Sequence, residues 1–226
     1  MKSLLLPTST HGRVLIEDPA DGLSGRVLVG CHGYGQDAEA MLEELRRIPG
    51  SDAWRLVSVQ ALHRFYRRGD QSVVASWMTR QDRESAIADN IEYLDRAVAA
   101  AVGDDGTEGA RAIVFVGFSQ GASMAARAAV RGRYRAAGLI LVGGDIPQDV
   151  RDEAGGRWPP VLIGCGDADT WYSARVDSDA AFLESRGIPH EIVRFTGGHE
   201  FTDEFRVAAG RFVVARADAG TASHTC

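Results

Sequence analysis

Cysteine is scarce in this chain: Cys31, Cys165 and Cys226 are the only three. A small odd number excludes a disulfide framework. No C-x-x-C pair occurs, so the usual spacing of a zinc site is missing as well. Cys31 and Cys165 each close an apolar run, where a free Cys is a small packing residue. Long apolar runs are also lacking. No stretch nears the ~20 residues of a membrane-spanning helix. Leu4-Leu5-Leu6 stops at Pro7, too short for the apolar core of a secretory signal. These absences predict a cytoplasmic protein with no stable membrane insertion. The chain has no Lys/Arg block either. Lys plus Arg total 25 against 31 Asp plus Glu, a formal net charge of −6. The short clusters Arg46-Arg47 and Arg64 to Arg68 read as solvated surface, and an acidic chain of this kind excludes nucleic acid as a partner.

No repeat, linker or composition break interrupts the 226 residues. One domain is expected over residues 1–216, with a small polar tail at 217–226. Hydrophobic residues make up 45% of the chain, enough for a sizeable core. Apolar runs alternate with helical patterns. Strands are predicted at 13–17, 26–31, 55–59, 112–116, 138–142, 161–165 and 191–195. Helices are predicted at 36–47, 82–102, 119–131, 173–186 and 200–216. Ile87, Ile91, Leu94 and Val98 share one face of the second helix. Gly187 and Pro189 stop the fourth. Asp104–Gly109 reads as a polar turn. Gln60 to Gln81 reads as a long irregular stretch, and loops of that length are usually functional. The alternation predicts the α/β class, a mostly parallel twisted sheet with helices on both faces. Ligands in such sheets bind beyond the carboxyl ends of the strands, so chemistry belongs just after the apolar runs.

Gly117-Phe118-Ser119-Gln120-Gly121 follows the strand at 112–116. This is G-x-S-x-G at a strand-to-helix turn, where a strained backbone lifts the serine hydroxyl above the sheet. Ser119 is the candidate nucleophile. The competing reading makes it a helix N-cap on a glycine-bounded turn. A dinucleotide fingerprint is excluded, because no G-x-G-x-x-G follows a strand. A serine hydroxyl needs a base to take its proton, and on this turn the partners follow in the order Ser, Asp or Glu, His. Of six His, only His190, His199 and His224 come after Ser119. His190 opens the last strand at the wrong end of the sheet, and His224 lies in the tail. His199 follows the last strand and the pair Gly197-Gly198, which lets its loop approach Ser119. Asp145, Asp167 and Asp169 all follow strands in the right interval, and spacing does not choose among them. The oxyanion donors are expected to be the backbone N–H of Gln120, after the nucleophile, and that of Tyr34 in Cys31-His32-Gly33-Tyr34-Gly35. His32 is read as a brace for that loop rather than a second base.

These stretches resemble the phospholipase/carboxylesterase family of α/β-hydrolases, which includes acyl-protein thioesterases and small bacterial carboxylesterases. Cys31–Gly35 looks like the family's oxyanion loop, and Ser76-Trp77-Met78 like the tryptophan motif beside its pocket. Gly-Phe-Ser-Gln-Gly at 117–121 matches its nucleophile elbow closely, and Gly198-His199-Glu200 its histidine loop. Gly164-Cys165-Gly166-Asp167-Ala168-Asp169 resembles its His-Gly-x-x-Asp acid loop, which puts the acid at Asp169. Cys165 stands where many members have His, Met78 where an aromatic is usual, and Thr170-Trp171-Tyr172 where small or aliphatic residues are common. The resemblance spans Val27 to Glu200 and implies the α/β-hydrolase fold.

It also implies acyl transfer by a Ser119, His199, Asp169 triad through an acyl-enzyme, with no cofactor and no metal. The partner is a small-molecule ester; a homodimer is compatible with the sequence. Phe65, Trp77, Trp171 and Tyr172 lie in or near strand-end loops and are expected to line a restricted pocket for short acyl or small aromatic esters. The rival reading places several of them in the core. A thioesterase or lysophospholipase of the same family is the nearer alternative. A non-catalytic ligand-binding member of the fold is the distant one.

Overall fold

The apolar runs form a seven-stranded sheet in the computed structural model, which describes residues 1–20, 25–102 and 112–217. Its strands are β1 (Arg13–Glu17), β2 (Arg26–Cys31), β3 (Arg55–Gln60), β6 (Ala112–Phe118), β7 (Gly138–Val142), β8 (Val161–Gly166) and β9 (His190–Phe195). The order across the sheet is β1-β3-β2-β6-β7-β8-β9. Only β1 runs antiparallel, as an edge strand on β3; the other neighbours pair in parallel. This is the mostly parallel sheet of the α/β-hydrolase fold.

All seven residues of β6 are buried, as a central parallel strand covered on both faces requires. Its side chains alternate between two cores. Ile113 and Phe115 join the core built with α2 (Arg83–Val102), α3 (Gln120–Arg131) and α5 (Ser173–Ser185). Val114, Val116 and Phe118 join the core built with α1 (Ala38–Arg46) and α6 (Asp203–Ala217). Each fully buried Val, Leu, Ile or Phe contributes roughly 1.5–3 kcal/mol, so the two-sided burial of the central strands holds the sheet rigid beneath its loops.

Helix boundaries follow the caps. α1 starts at Ala38 rather than Gln36, because the extended Asp37 accepts the Ala40 N–H at 2.8 Å. α5 stops where expected: Gly187 takes φ +63°, and the Gly187 and Ile188 N–H groups close back on Glu184 and Leu183 in a glycine-capped end.

The stretch from Gln60 to Gln81 departs from expectation. It holds an antiparallel hairpin, β4 (His63–Tyr66) with β5 (Val73–Ser76). Each strand has four residues, and three of the four in β4 are exposed, so no alternation of useful length marks it in the sequence. A one-turn helix, α4 (Gln148–Arg151), is likewise too short to carry a period. The polar turn expected at Asp104–Gly109 and the tail beyond Ala217 lie outside the described residues. Among the described residues, no helix is long and apolar enough to cross a membrane.

Candidate active site

β2 and β6 lie side by side, with Cys31 opposite Gly117, although β3, the hairpin and α2 separate them in the chain. From this pair the strand order builds outward in both directions, so their carboxyl ends form a topological switch point, the ligand crevice of open α/β sheets. The Cys31–Gly35 loop leaves β2 here, and the Gly117–Gly121 turn leaves β6 beside it.

Ser119 sits at φ 53°, ψ −118°, a backbone region that costs on the order of 1–3 kcal/mol for a residue with a side chain. Its surroundings hold it there. The Ser119 N–H donates to Val142 O at 2.9 Å, and its carbonyl accepts the Ala122 N–H at 3.0 Å. The two glycines of the motif meet backbone directly. A Cβ on Gly121 would stand 2.1 Å from Cys31 O, and one on Gly117 2.5 Å from the Ala122 Cα. The strained serine and its flanking glycines are thus one packing solution.

Asp169 and His199 meet across the ends of β8 and β9. His199 Nδ1 lies 2.8 Å from Asp169 Oδ2. Asp169 is buried, and its Oδ1 accepts the N–H groups of Trp171 and Tyr172, each at 3.0 Å. The carboxylate is therefore fixed at three points. Asp167 instead accepts the Gly197 N–H at 3.1 Å and braces the histidine loop. Gly166 permits the close approach of the two loops, because a Cβ there would stand 2.3 Å from Gly198 O. His199 also lies beside the elbow. The ring of Phe118, the residue before Ser119, has its centroid 5.0 Å from the imidazole. Gly143 and Gly144, just after β7, back both groups: a Cβ on Gly143 would lie 3.0 Å from His199 Nδ1, and one on Gly144 2.4 Å from Ser119 O. His190 begins β9 opposite Val161, at the amino end of the sheet, away from these groups.

The loop after β2 is clamped from two sides. From the hairpin, Ala75 accepts the Gly35 N–H and donates to Gln36 O, both at 2.9 Å, and Arg67 donates to Gly35 O. From the tryptophan motif, Trp77 Nε1 donates to His32 O at 2.7 Å. The Gln120 side chain holds that motif, accepting from Trp77 N–H at 2.9 Å and donating to Met78 O at 2.9 Å. Asn90 of α2 holds it from behind through Trp77 O at 2.8 Å. The hairpin, Asn90 and the side-chain role of Gln120 escape sequence reading, because their partners are distant in the chain.

Of the four aromatics expected at the pocket, two are accessible to solvent. Trp171 is 57% exposed and meets His199 edge-on at 6.0 Å between centroids. Phe65 is half-buried and stacks at 5.4 Å on Tyr34, itself exposed. Trp77 and Tyr172 are both 0% exposed. Their expected lining role is corrected to a supporting one: Trp77 carries the Cys31–Gly35 loop through His32 O, and Tyr172 donates its phenol to Asp179 at 2.7 Å. Among the described residues, no group of three His, Cys, Asp or Glu side chains could hold a metal ion.

His32 is a buried brace. Its Nε2 accepts the Ala61 N–H at 3.0 Å, which leaves the proton on Nδ1 to donate to Gly33 O at 2.7 Å. Burial lowers its pKa, opposed by the Gly33 hydrogen bond. Folding therefore favours the neutral ring. Its contribution to stability is complete above the ordinary imidazole value of about 6.5 and is lost as pH falls below it, because the unfolded chain then binds the proton more readily. Urea-unfolding midpoints measured between about pH 5 and 8 are expected to fall less steeply with acid in His32→Asn than in the parent; equal slopes would exclude this linkage. Burial likewise raises the thiols of Cys31 and Cys165, so both remain protonated packing groups.

A family model described as Phospholipase/Carboxylesterase matches residues 14–155, a span that includes Tyr34, Trp77 and the elbow but ends before Asp169 and His199. No curated protein sequence matches the chain. Among solved structures, esterase PE8 is similar with a TM-score of 0.71 and 22% identity, over 91% of this chain and 99% of that one. A phospholipase/carboxylesterase from Dyadobacter fermentans gives a TM-score of 0.68 and 18% identity, over 92% and 99% of the two chains. The Bacillus cereus carboxylesterase gives 0.64 and 19%, over 91% and 94%. These identities carry the fold; the sequence match over more than half of the chain carries the family. On that match, the chain belongs to the phospholipase/carboxylesterase family of ester-hydrolysing enzymes.

Proposed function

We propose that this enzyme cleaves carboxylic esters by acyl transfer to Ser119, with His199 as base and Asp169 as the acid that orients it. The observation that carries this reading is the 2.8 Å contact between His199 Nδ1 and the buried Asp169 carboxylate, beside a serine held at positive φ. With Nδ1 committed to Asp169, His199 has Nε2 for proton transfer. Ser119 Oγ attacks the ester carbonyl as its proton passes to Nε2. The tetrahedral intermediate collapses, the leaving alcohol takes that proton, and water delivered by the same base cleaves the acyl-enzyme. These groups supply the base, the nucleophile and the oxyanion donors, so the reading requires no cofactor.

Tyr34 and Gln120 donate their N–H groups to the oxyanion. Around Tyr34 the other loop donors are already committed: Gly33 N–H to Gln36 Oε1, Gly35 N–H to Ala75 O and Gln36 N–H to Gly33 O. Gln120 is the first residue of α3, whose leading N–H groups have no partner within the helix. There the helix dipole favours a developing negative charge.

The substrates are short acyl or small aromatic esters. Support comes from the aromatic groups around the crevice, with Tyr34 and Phe65 on one side and Trp171 beside His199. Fluorophosphonate labelling tests the nucleophile: the parent is expected to label and Ser119→Ala is not. A series of 4-nitrophenyl esters tests the pocket, with kcat/KM expected to peak at short chains. A peak at long chains would overturn the substrate class. Faster turnover of acyl-thioesters or lysolipids than of short esters would favour the thioesterase or lysophospholipase reading.

A further inference from the structure

Asp179 is a carboxylate with no place in the chemistry above, and it is 0% exposed. It lies on α5, behind the acid loop. Its Oδ2 accepts the Tyr172 phenol at 2.7 Å. Its Oδ1 accepts the Ile146 N–H at 3.2 Å and also the Arg151 guanidinium. Arg151 returns through Nε to Ile146 O at 3.1 Å, so Ile146 is held at both its N–H and its carbonyl.

The two segments gathered this way are the ones that seat the triad. Tyr172 ends the turn whose N–H groups grip Asp169 Oδ1. Ile146 ends the turn after β7 that begins with Gly143 behind His199 and Gly144 behind Ser119. Burying a carboxylate is unfavourable unless its lone pairs are used, and an apolar side chain at this helix position would pack at lower cost. Burial, reinforced by Asp179, pushes the Tyr172 phenol well above its ordinary range, so it remains a donor at any working pH.

We propose that Asp179 is a positioning residue for the catalytic machinery: by holding the Tyr172 phenol and the Ile146 N–H, it fixes the acid loop and the turn after β7 so that Asp169 stays seated against His199. It touches neither substrate nor reacting atoms. Its effect travels through Tyr172 to the backbone that grips Asp169, and through Ile146 to the glycines behind His199 and Ser119. The inference rests on the triad reading above.

Tyr172→Phe removes one hydrogen bond and keeps the ring, so it is the decisive variant; Asp179→Asn and the double variant extend it. The readouts are kcat and KM on 4-nitrophenyl butyrate, the pH profile of kcat/KM, and Tm. Tyr172→Phe is expected to lower kcat about tenfold, below the roughly hundredfold that a ~1 Å misplacement of a catalytic group can cost. KM should stay within about twofold, because substrate binding is untouched. The acid limb of kcat/KM should move to lower pH, because a loosely seated Asp169 stabilises the His199 imidazolium less. The double variant should lose less than the product of the single losses, because both cut one chain of contacts. A Tyr172→Phe enzyme with parental kcat and acid limb would overturn the proposal, whatever its Tm. Should Ser119→Ala keep full turnover, the triad reading itself falls. A triad-dependent enzyme indifferent to Tyr172→Phe removes only the role of Asp179.

Discussion

Ser119→Ala is expected to lower kcat on short 4-nitrophenyl esters by about a millionfold while leaving KM near the parental value. The substitution removes the proposed nucleophilic oxygen and none of the contacts that hold the elbow. The bonds fixing this residue are its backbone N–H to Val142 O and its carbonyl from Ala122 N–H, and alanine keeps both. The backbone at φ 53° is as strained for alanine as for serine, so Tm should shift little. The proposed oxyanion donors, both backbone N–H groups, also survive, which is why residual turnover above the rate in water is expected. Steady-state kinetics after active-site titration of contaminating parent enzyme would check the result. Turnover within tenfold of the parent would remove Ser119 from the mechanism.

Asp169→Asn should be nearly as damaging, with kcat reduced about ten-thousandfold on the pattern of other triads. The physical reason lies in which atoms face which. Oδ1 meets two donors, the N–H groups of Trp171 and Tyr172, and Oδ2 meets His199 Nδ1. An asparagine must turn its oxygen toward the two N–H groups, because its NH2 would oppose them. The NH2 then faces His199 and donates to Nδ1. That forces the imidazole proton onto Nε2, and the nitrogen needed for the Ser119 proton is no longer a base. Folding should be preserved, since every donor still finds an acceptor. Rescue of kcat toward high pH is not expected, because the fault is a tautomer rather than a charge. An Asp169→Asn enzyme within tenfold of the parent would show that another carboxylate serves His199.

Much of this site is legible in the chain because its chemistry is written in local motifs. Gly117–Gly121 identifies itself by the glycines that a strand-to-helix turn demands, for a steric reason: a Cβ at either glycine meets backbone. His199 follows from chain order and from Gly197-Gly198. Asp169 is different. Spacing leaves it level with Asp145 and Asp167, and only family resemblance selects it. In the structure Asp167 turns to the Gly197 N–H while Asp169 turns to His199, a division that depends on the folding of two loops at once.

The aromatic residues were the least readable. Trp77, Trp171 and Tyr172 all sit in loops near strand ends, and their sequence contexts do not separate core from pocket. Trp77 and Tyr172 are wholly buried because each has a polar handle that finds a partner inside, His32 O for one and Asp179 for the other. Trp171 faces outward beside His199. The hairpin β4–β5 hid for another reason. Its strands are four residues long, and one of its tasks is to pair with Gly35 and Gln36 after β2, a contact with no local signature.

By itself the sequence determined the alternating architecture and the glycine-bounded turn that carries Ser119, since buried strands, glycine-bounded turns and helix stops are decided by near neighbours in the chain. Only the tertiary structure decided which aspartate meets His199, which aromatics are exposed, and that Asp179 links Tyr172 to the turn after β7. Those choices depend on hydrogen bonds between segments far apart in sequence, whose partners are specified by packing rather than by pattern.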